Sequence, residues 1–292
     1  MRILVALSGN PYGIYVVREV ARLARNTWAD VTLLGVAPKQ SGSPSDAKGG
    51  PPSDFAATME QFRLDFLEVV KEPESPYTAA VEGISWAGRK NGPWDLAYQA
   101  PPGKKQLNLC IRTGNPSKAI IAQAGQMESD LIVLGCGKGE GCTWDNAPDA
   151  VRSVVNTAPC SVFAVKEEKQ PDMIVCCLDN DHVSQASLEL INQLVSLHQA
   201  ELGLVGVTGT EGLKYEVDRK MGQLLNYYAE RDIKAWIQLV DAPSLESFMG
   251  QAAQKDLVAL WMGKQSFLDK IFSRQRLSKL IDTAKSSVLV LR

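Results

Sequence analysis

SDLIVLGCGKGEGCTWDNAPDAVRSVVNTAPCSVFAVK, residues 129–166, is the stretch whose reading decides the fold. Leu131–Leu134 is a short apolar run, the pattern of a buried strand. Gly135, Gly137, Gly139 and Gly141 follow in close succession, so the strand runs into a loop of open backbone. An amphipathic segment begins near Pro148-Asp149, where Pro suits a first helical turn and Asp is able to cap free N–H groups. Ala158-Pro159-Cys160 stops that helix, and Ser161–Val165 reads as a second buried strand. Strand, glycine loop, helix and strand together predict a right-handed parallel crossover. Open N–H groups at such a loop and at a helix N-terminus suit a phosphate.

Working outward, Arg2–Leu7 reads as a strand, Ser8–Pro11 as a turn, 14–26 as a helix and Val31–Val36 as a strand. The chain from Ile174 repeats that order: Ile174–Leu178, the turn Asp179–Asp181, a helix over Ser184–Gln199 and a strand over Leu202–Val207. Ile3 maps onto Ile174 and Gly35-Val36 onto Gly206-Val207, each at an offset of 171. Pro116 then maps onto Pro243 at 127, and Ala158 onto Ala284 at 126. The drop from 171 to 127 leaves 44 extra residues in the first half. The rest is a duplication of one βαβ series. It predicts domains over 1–169 and 171–292, joined at Gln170-Pro171, with an insertion over about 38–105.

Within the insertion, Pro38–Pro52 reads as a mobile Ser/Gly/Pro loop and Phe55–Lys71 as a helix. Residues 72–105 carry several prolines together with Trp86, Trp94 and Tyr98, an aromatic density that predicts an ordered excursion. Leu107–Ile111 returns to the sheet, and Thr113–Ser117 opens a helix through Ala124. In the second half, 216–231 and 244–254 read as helices, and 235–240, 257–262 and 288–291 as strands.

The DLIVLG strand, the glycine loop, the helix and APCSVFAVK resemble the end of a universal stress protein domain, and the duplication extends the resemblance over nearly the whole chain. The resemblance implies an α/β fold: two tandem domains, each a five-stranded parallel sheet with helices on both faces, Rossmann-like and of adenine-nucleotide-binding type. It also implies that the final strands, Ser161–Val165 and Val288–Leu291, pair with each other, as such edge strands do across the dimer of single-domain members. Nucleotide-binding members carry Gly, two residues, Gly, nine residues, then Gly with Ser or Thr. Here Gly135 stands first, Lys138 takes the second place, and Pro148-Asp149 take the last. In the second half Gly263 stands first and Ser266 second. The last place falls on Arg276-Leu277 by strict count, or on Arg274-Gln275 with a two-residue gap.

The family's acid after the first strand, which holds the ribose or adenine end, is kept as Asp179 and replaced by Ser8 in the first half. An Asp after a strand is also a common turn former. Lys264, Lys270, Arg274 and Arg276 are able to replace backbone donors for a phosphate, or form a solvated helix face. The candidate nucleotide-binding residues are thus Asp179, Val207, Gly263, Lys264 and Arg274 in one half, and Gly135, Gly137, Gly139 and Gly141 in the other. A carboxylate at Asp149 competes with a phosphate for the same N–H groups, which favours the second half.

Hydrophobic residues make up 45% and charged residues 22% of the chain, as in a globular protein with an ample core. A formal charge of -2 and a pI near 5.8 give no footprint for nucleic acid. No apolar run is long enough to span a bilayer, and Met1 leads into a strand rather than a signal peptide, which predicts a cytoplasmic protein without membrane contact. The six cysteines form no CxxC pair and read as reduced packing residues, although Cys136 and Cys142 flank the glycine loop, where a metal or an oxidant is the alternative. His198 is expected at a helix surface. No catalytic arrangement stands out. Two classes of function remain: a non-catalytic stress-response regulator with at most weak ATP or other adenine-nucleotide binding, and a slow nucleotide hydrolase on the same fold. The expected partners are the two domains for each other, a second copy of the chain and a protein client.

Overall fold

The computed structural model describes residues 1–10, 12–38, 50–77, 82–88, 93–99, 105, 107–136, 144, 147–166, 170–177, 184–208, 215–262 and 267–292. The chain divides into two compact units, one of Met1–Lys138 and Cys142–Cys160, the other containing Ser161–Arg292. Most of the expected mobile loop of 38–52 lies outside the described residues.

In the first unit β1 (Arg2–Leu7), β2 (Asp30–Ala37), β5 (Asn108–Thr113) and β6 (Leu131–Gly135) are parallel, in the order β6-β1-β2-β5. Ile3 lies opposite Val31 on one side and Leu131 on the other. These strands are buried along nearly their whole length, which is why they read as continuous apolar runs. Helix α1 (Gly13–Thr27) buries Val16, Val17, Val20, Ala21, Leu23 and Ala24, the stripe set by its apolar spacing. It ends at Trp28, whose left-handed φ of 49° lets its N–H reach the Ala24 carbonyl. Helix α2 (Ser53–Val69) packs against α1. Helix α3 (Pro116–Gln126) starts as expected, with Pro116 in the first turn and the Asn115 side chain accepting from Lys118 N at 3.0 Å. It packs against α4 (Ala150–Thr157).

The excursion is ordered, and it adds two strands that the sequence did not suggest. Antiparallel β3 (Glu82–Gly88) and β4 (Trp94–Gln99) extend the sheet beyond β5. Its aromatics do pack. Trp94 is buried, Trp86 Nε1 donates to Glu60 Oε1 at 2.9 Å, and Tyr77 meets Phe66 edge to face with centroids 5.2 Å apart. Arg112 on β5 ties the hairpin down. Its guanidinium donates to the Trp94 carbonyl at 3.0 Å, to Asp95 Oδ1 at 2.9 Å and to Gln123 Oε1 at 3.0 Å.

The second unit repeats the series. Its strands are β8 (Met173–Cys177), β9 (Glu201–Thr208), β10 (Ala235–Asp241), β11 (Leu257–Trp261) and β12 (Val288–Leu291). They form a five-stranded parallel sheet in the order β10-β9-β8-β11-β12, interleaved with α5 (Gln185–His198), α6 (Tyr215–Ala229), α7 (Leu245–Ala252), α8 (Phe267–Ile271) and α9 (Arg274–Thr283). The fold is therefore the α/β, Rossmann-like arrangement expected. A seventh strand in the first series, β7 (Ser161–Val165), pairs antiparallel with β12, Phe163 facing Leu289. The contact is self-complementary. Ser161 Oγ accepts from Arg292 N at 3.1 Å, and Ser287 Oγ accepts from Lys166 N at 3.2 Å. Ser161 and Ser287, like Lys166 and Arg292, are repeat partners at the offset of 126. The two final strands thus pair as expected, about a local two-fold at Phe163 and Leu289.

Two expectations fail in detail. His198 is buried rather than at the surface, because its face of α5 also carries buried Leu194 and Val195. Cys136 is disulfide-bonded, whereas Cys110, Cys160, Cys176 and Cys177 form no disulfide, as expected. Burial pushes the Cys110 thiol up to about 12, so it stays protonated and inert.

Candidate functional site

In an open parallel sheet, ligands sit beyond the carboxyl ends of the strands where the strand order reverses. In the first unit that point lies between β1 and β6, since β1 leads to β2 on one side and β5 leads back to β6 on the other. A crevice opens there, lined by Leu7, Ser8, Asn10, Tyr12, Cys136 and Trp144, among others. Its cavity volume is about 30 Å³, far below that of a small-molecule site. Trp144, 4% exposed, stands in its wall. Sequence reading missed this residue, since a lone Trp after a glycine loop carries no periodic signal.

Beside the crevice, over the ends of β1 and β2, stands Phe55 of α2. A Cβ built on Gly9 would lie 2.7 Å from Phe55 Cε2, and one on Gly35 would lie 2.7 Å from Phe55 Cε1. Gly9 has a φ of 84°, which opens the turn after β1. Gly135 has its own packing reason to be glycine, because a Cβ there would meet Val16 Cγ2 of α1 at 2.7 Å. Gly137, Gly139 and Gly141 lie outside the described residues.

Asp149 precedes α4 as expected but does not cap it. Its carboxylate accepts instead from Arg152 at 3.0 Å, and its side chain is 81% exposed. The backbone at Asp149, with φ −90° and ψ 0°, is not the extended conformation that carries a side chain back to the N–H groups. The Asp149 carboxylate thus leaves the N–H groups of the first turn of α4 without a side-chain cap.

In the second unit the matching point lies between β8 and β11. Val207 near the end of β9 is 9% exposed, and Trp261 and Met262 are buried. Asp179, Gly263 and Lys264 lie outside the described residues. Exposed Arg274 is the first residue of α9 and has no ion-pair or hydrogen-bond partner among the described residues. Arg276 is committed elsewhere, its Nε 3.3 Å from Glu246 and a guanidinium nitrogen donating to the Ile271 carbonyl at 3.0 Å. Ser273 caps α9, its hydroxyl accepting from Arg276 N at 3.4 Å. Matching the helix starts sets Ser273 against Asp149. Matching the helix ends at Ala158 and Ala284 instead keeps Arg274-Gln275 opposite Pro148-Asp149, because α9 is two residues longer than α4.

The universal stress protein family model matches residues 1–166, more than half of the chain. The chain belongs to the universal stress protein family. No curated protein matches it in sequence. Among solved structures it is similar to a universal stress protein from Archaeoglobus fulgidus DSM 4304, at 12% identity and a TM-score of 0.57, covering 100% of this chain and 96% of that one. It is also similar to a functionally unknown protein from Pseudomonas aeruginosa PAO1, at 15% identity and a TM-score of 0.54, covering 99% and 92%. A third likeness is the cytoplasmic domain of a prokaryotic cation chloride cotransporter, at 11% identity and a TM-score of 0.50, covering 99% and 94%. At these identities the likeness is one of fold. No helix among the described residues of this universal stress protein is long and apolar enough to cross a membrane. The described residues hold no group of three metal-ligating side chains.

Proposed function

We propose that the chain is a tandem universal stress protein, with repeats over 1–169 and 171–292, that works as a non-catalytic cytoplasmic regulator through protein contacts. In this reading adenine nucleotide binds at most weakly, and only in the second repeat. The observation that carries it is the narrow first crevice: Trp144 is buried in its wall, Phe55 covers the ends of β1 and β2 beside it, and Ser8 supplies no carboxylate. The second repeat offers Asp179 in sequence, with the Ser273 hydroxyl at the head of α9 and Arg274, which has no partner among the described residues. A binding site of exposed cations is weakened by salt. The test is a titration of labelled ATP with phosphate release followed in parallel. The reading expects weak, salt-sensitive binding that Asp179→Ala abolishes, and no release above buffer. Steady phosphate release, lost in Asp179→Ala, would instead establish a hydrolase.

A further inference from the structure

The two repeats differ at one sheet edge. In the first unit β5 is covered by β4, with Trp94 opposite Ile111 and Asp95 opposite Cys110. Gly35 of β2 lies beside Ile111, and its repeat partner Gly206 of β9 lies beside Leu239 of β10. The matched side chains have opposite fates: Ile111 is 0% exposed and Leu239 is 51% exposed. β10 ends its sheet, and no strand among the described residues pairs with its outer side. The Lys234 carbonyl accepts from Leu202 N of β9 at 3.0 Å, so by alternation the N–H and C=O groups of Ala235, Ile237, Leu239 and Asp241 point outward. Native sheets blunt such edges with charge, proline or a bulge. β3, which ends the sheet in the first unit, has a register shift between Glu82 and Ser85. From Ala235 to Val240, β10 carries no charge, no proline and no register shift.

We propose that the outer edge of β10 joins the chain to a second copy of itself, the two strands running antiparallel about a two-fold axis at Gln238. The final strands β7 and β12 already pair with each other, which leaves this edge for a further copy. A two-fold normal to the sheet keeps each side chain on its own face, so it passes through a residue, and at Gln238 it pairs all seven residues of β10. The outward groups then meet. Ile237 exchanges backbone hydrogen bonds with Leu239 of the partner subunit, and Ala235 does so with Asp241 of the partner subunit. Trp236 stands opposite Val240 of the partner subunit, an aromatic and β-branched pair. Gln238 meets its own copy, and each carboxamide offers a donor and an acceptor. The charges select a copy in this direction. Lys234, 85% exposed and 2.9 Å from Glu201, stands at the start of the strand, and exposed Asp241 at its end. Antiparallel order brings the lysine of each strand beside the aspartate of the other, whereas parallel order sets like charges together.

This edge belongs to the second unit alone, and its test is independent of whether either repeat binds nucleotide. Sedimentation velocity gives the mass of the full chain as wild type, Ile237→Pro and Leu239→Lys, and circular dichroism reports folding. The N–H of residue 237 points outward, so proline there spares the bonds to β9 and removes two across the interface. Wild type is expected as a dimer, Ile237→Pro as a monomer, and Leu239→Lys as a dimer weakened by about tenfold. If Ile237→Pro does not fold, Leu239→Lys, a change at a half-exposed side chain, decides. Gln238→Cys adds a direct reading of the register. It lies on the axis in a pair without backbone hydrogen bonds, where Cα atoms stand about 4.5 Å apart, within reach of a disulfide. With oxidised glutathione it should cross-link to its copy, whereas wild type, with its own cysteines, should not. A wild type that stays monomeric to about 100 µM overturns the proposal. So does a dimer that survives both edge substitutions with its fold intact, an assembly larger than a dimer, or a dimeric Gln238→Cys that does not cross-link.

Discussion

At the residue scale, the Asp149 carboxylate has two competing uses, capping α4 or pairing with Arg152, and it takes the second. An exposed pair of this kind is worth no more than about 0.5 kcal/mol. Asp149→Ser should therefore leave the urea midpoint nearly unchanged and should not create an ATP site, because the obstruction at Trp144 remains. A gain of ATP binding in Asp149→Ser would show that charge rather than bulk closes the first repeat. Lys166 poses a different balance. It is buried, its Nζ has no hydrogen-bond partner among the described residues, and burial lowers its pKa below the ordinary 10.5, with Asp282 opposing in part. Between the lowered folded value and 10.5 the unfolded chain binds more protons, so stability rises with pH through that window. Below it the cost of the buried charge is fully present. Lys166→Met should thus be more stable than wild type near neutral pH, with an advantage that shrinks as pH approaches 10.5. A difference in urea midpoint that stays constant from pH 7 to 10 would contradict this.

At the element scale, the insertion is held by few backbone contacts. β4 meets β5 through two paired positions, Trp94 with Ile111 and Asp95 with Cys110. Arg112 makes up the deficit, since its side chain is 17% exposed and its donors reach a carbonyl of β4 and a carboxylate. Arg112→Met should cost about 2 kcal/mol, the scale of losing buried, charge-assisted hydrogen bonds. Amide exchange in β3 and β4 should speed up more than in β1 or β6, and uniform loosening of all four strands would refute the clamp. The element order was legible because each parallel strand is buried on both faces and each long helix carries one apolar stripe. β3 and β4 were not legible. Their exposed positions, such as Ser85 and Ala87, break the apolar run, and proline and glycine around them read as loop. Helix α9 was legible in place but not in phase. It is two residues longer than α4, so its cap at Ser273 precedes the place that the repeat offset of 126 assigns to Asp149.

At the scale of the whole molecule, the duplication is visible in the sequence as offsets and in the structure as a repeated strand order. The reciprocal serine hydrogen bonds at β7 and β12 carry it to the level of single atoms. What the sequence could not reveal is that the two repeats have diverged by packing as much as by motif. Trp144 lines the first crevice and Phe55 covers the strand ends beside it, and neither carries a motif. The second repeat has lost most glycines but keeps Asp179, Ser273 and Arg274. The most direct measurement is the stoichiometry of labelled ATP on the full chain by equilibrium dialysis at low and high salt. The account predicts at most one ATP per chain, bound weakly, released by salt and lost in Asp179→Ala. Two ATP per chain, or one that survives Asp179→Ala, would contradict it.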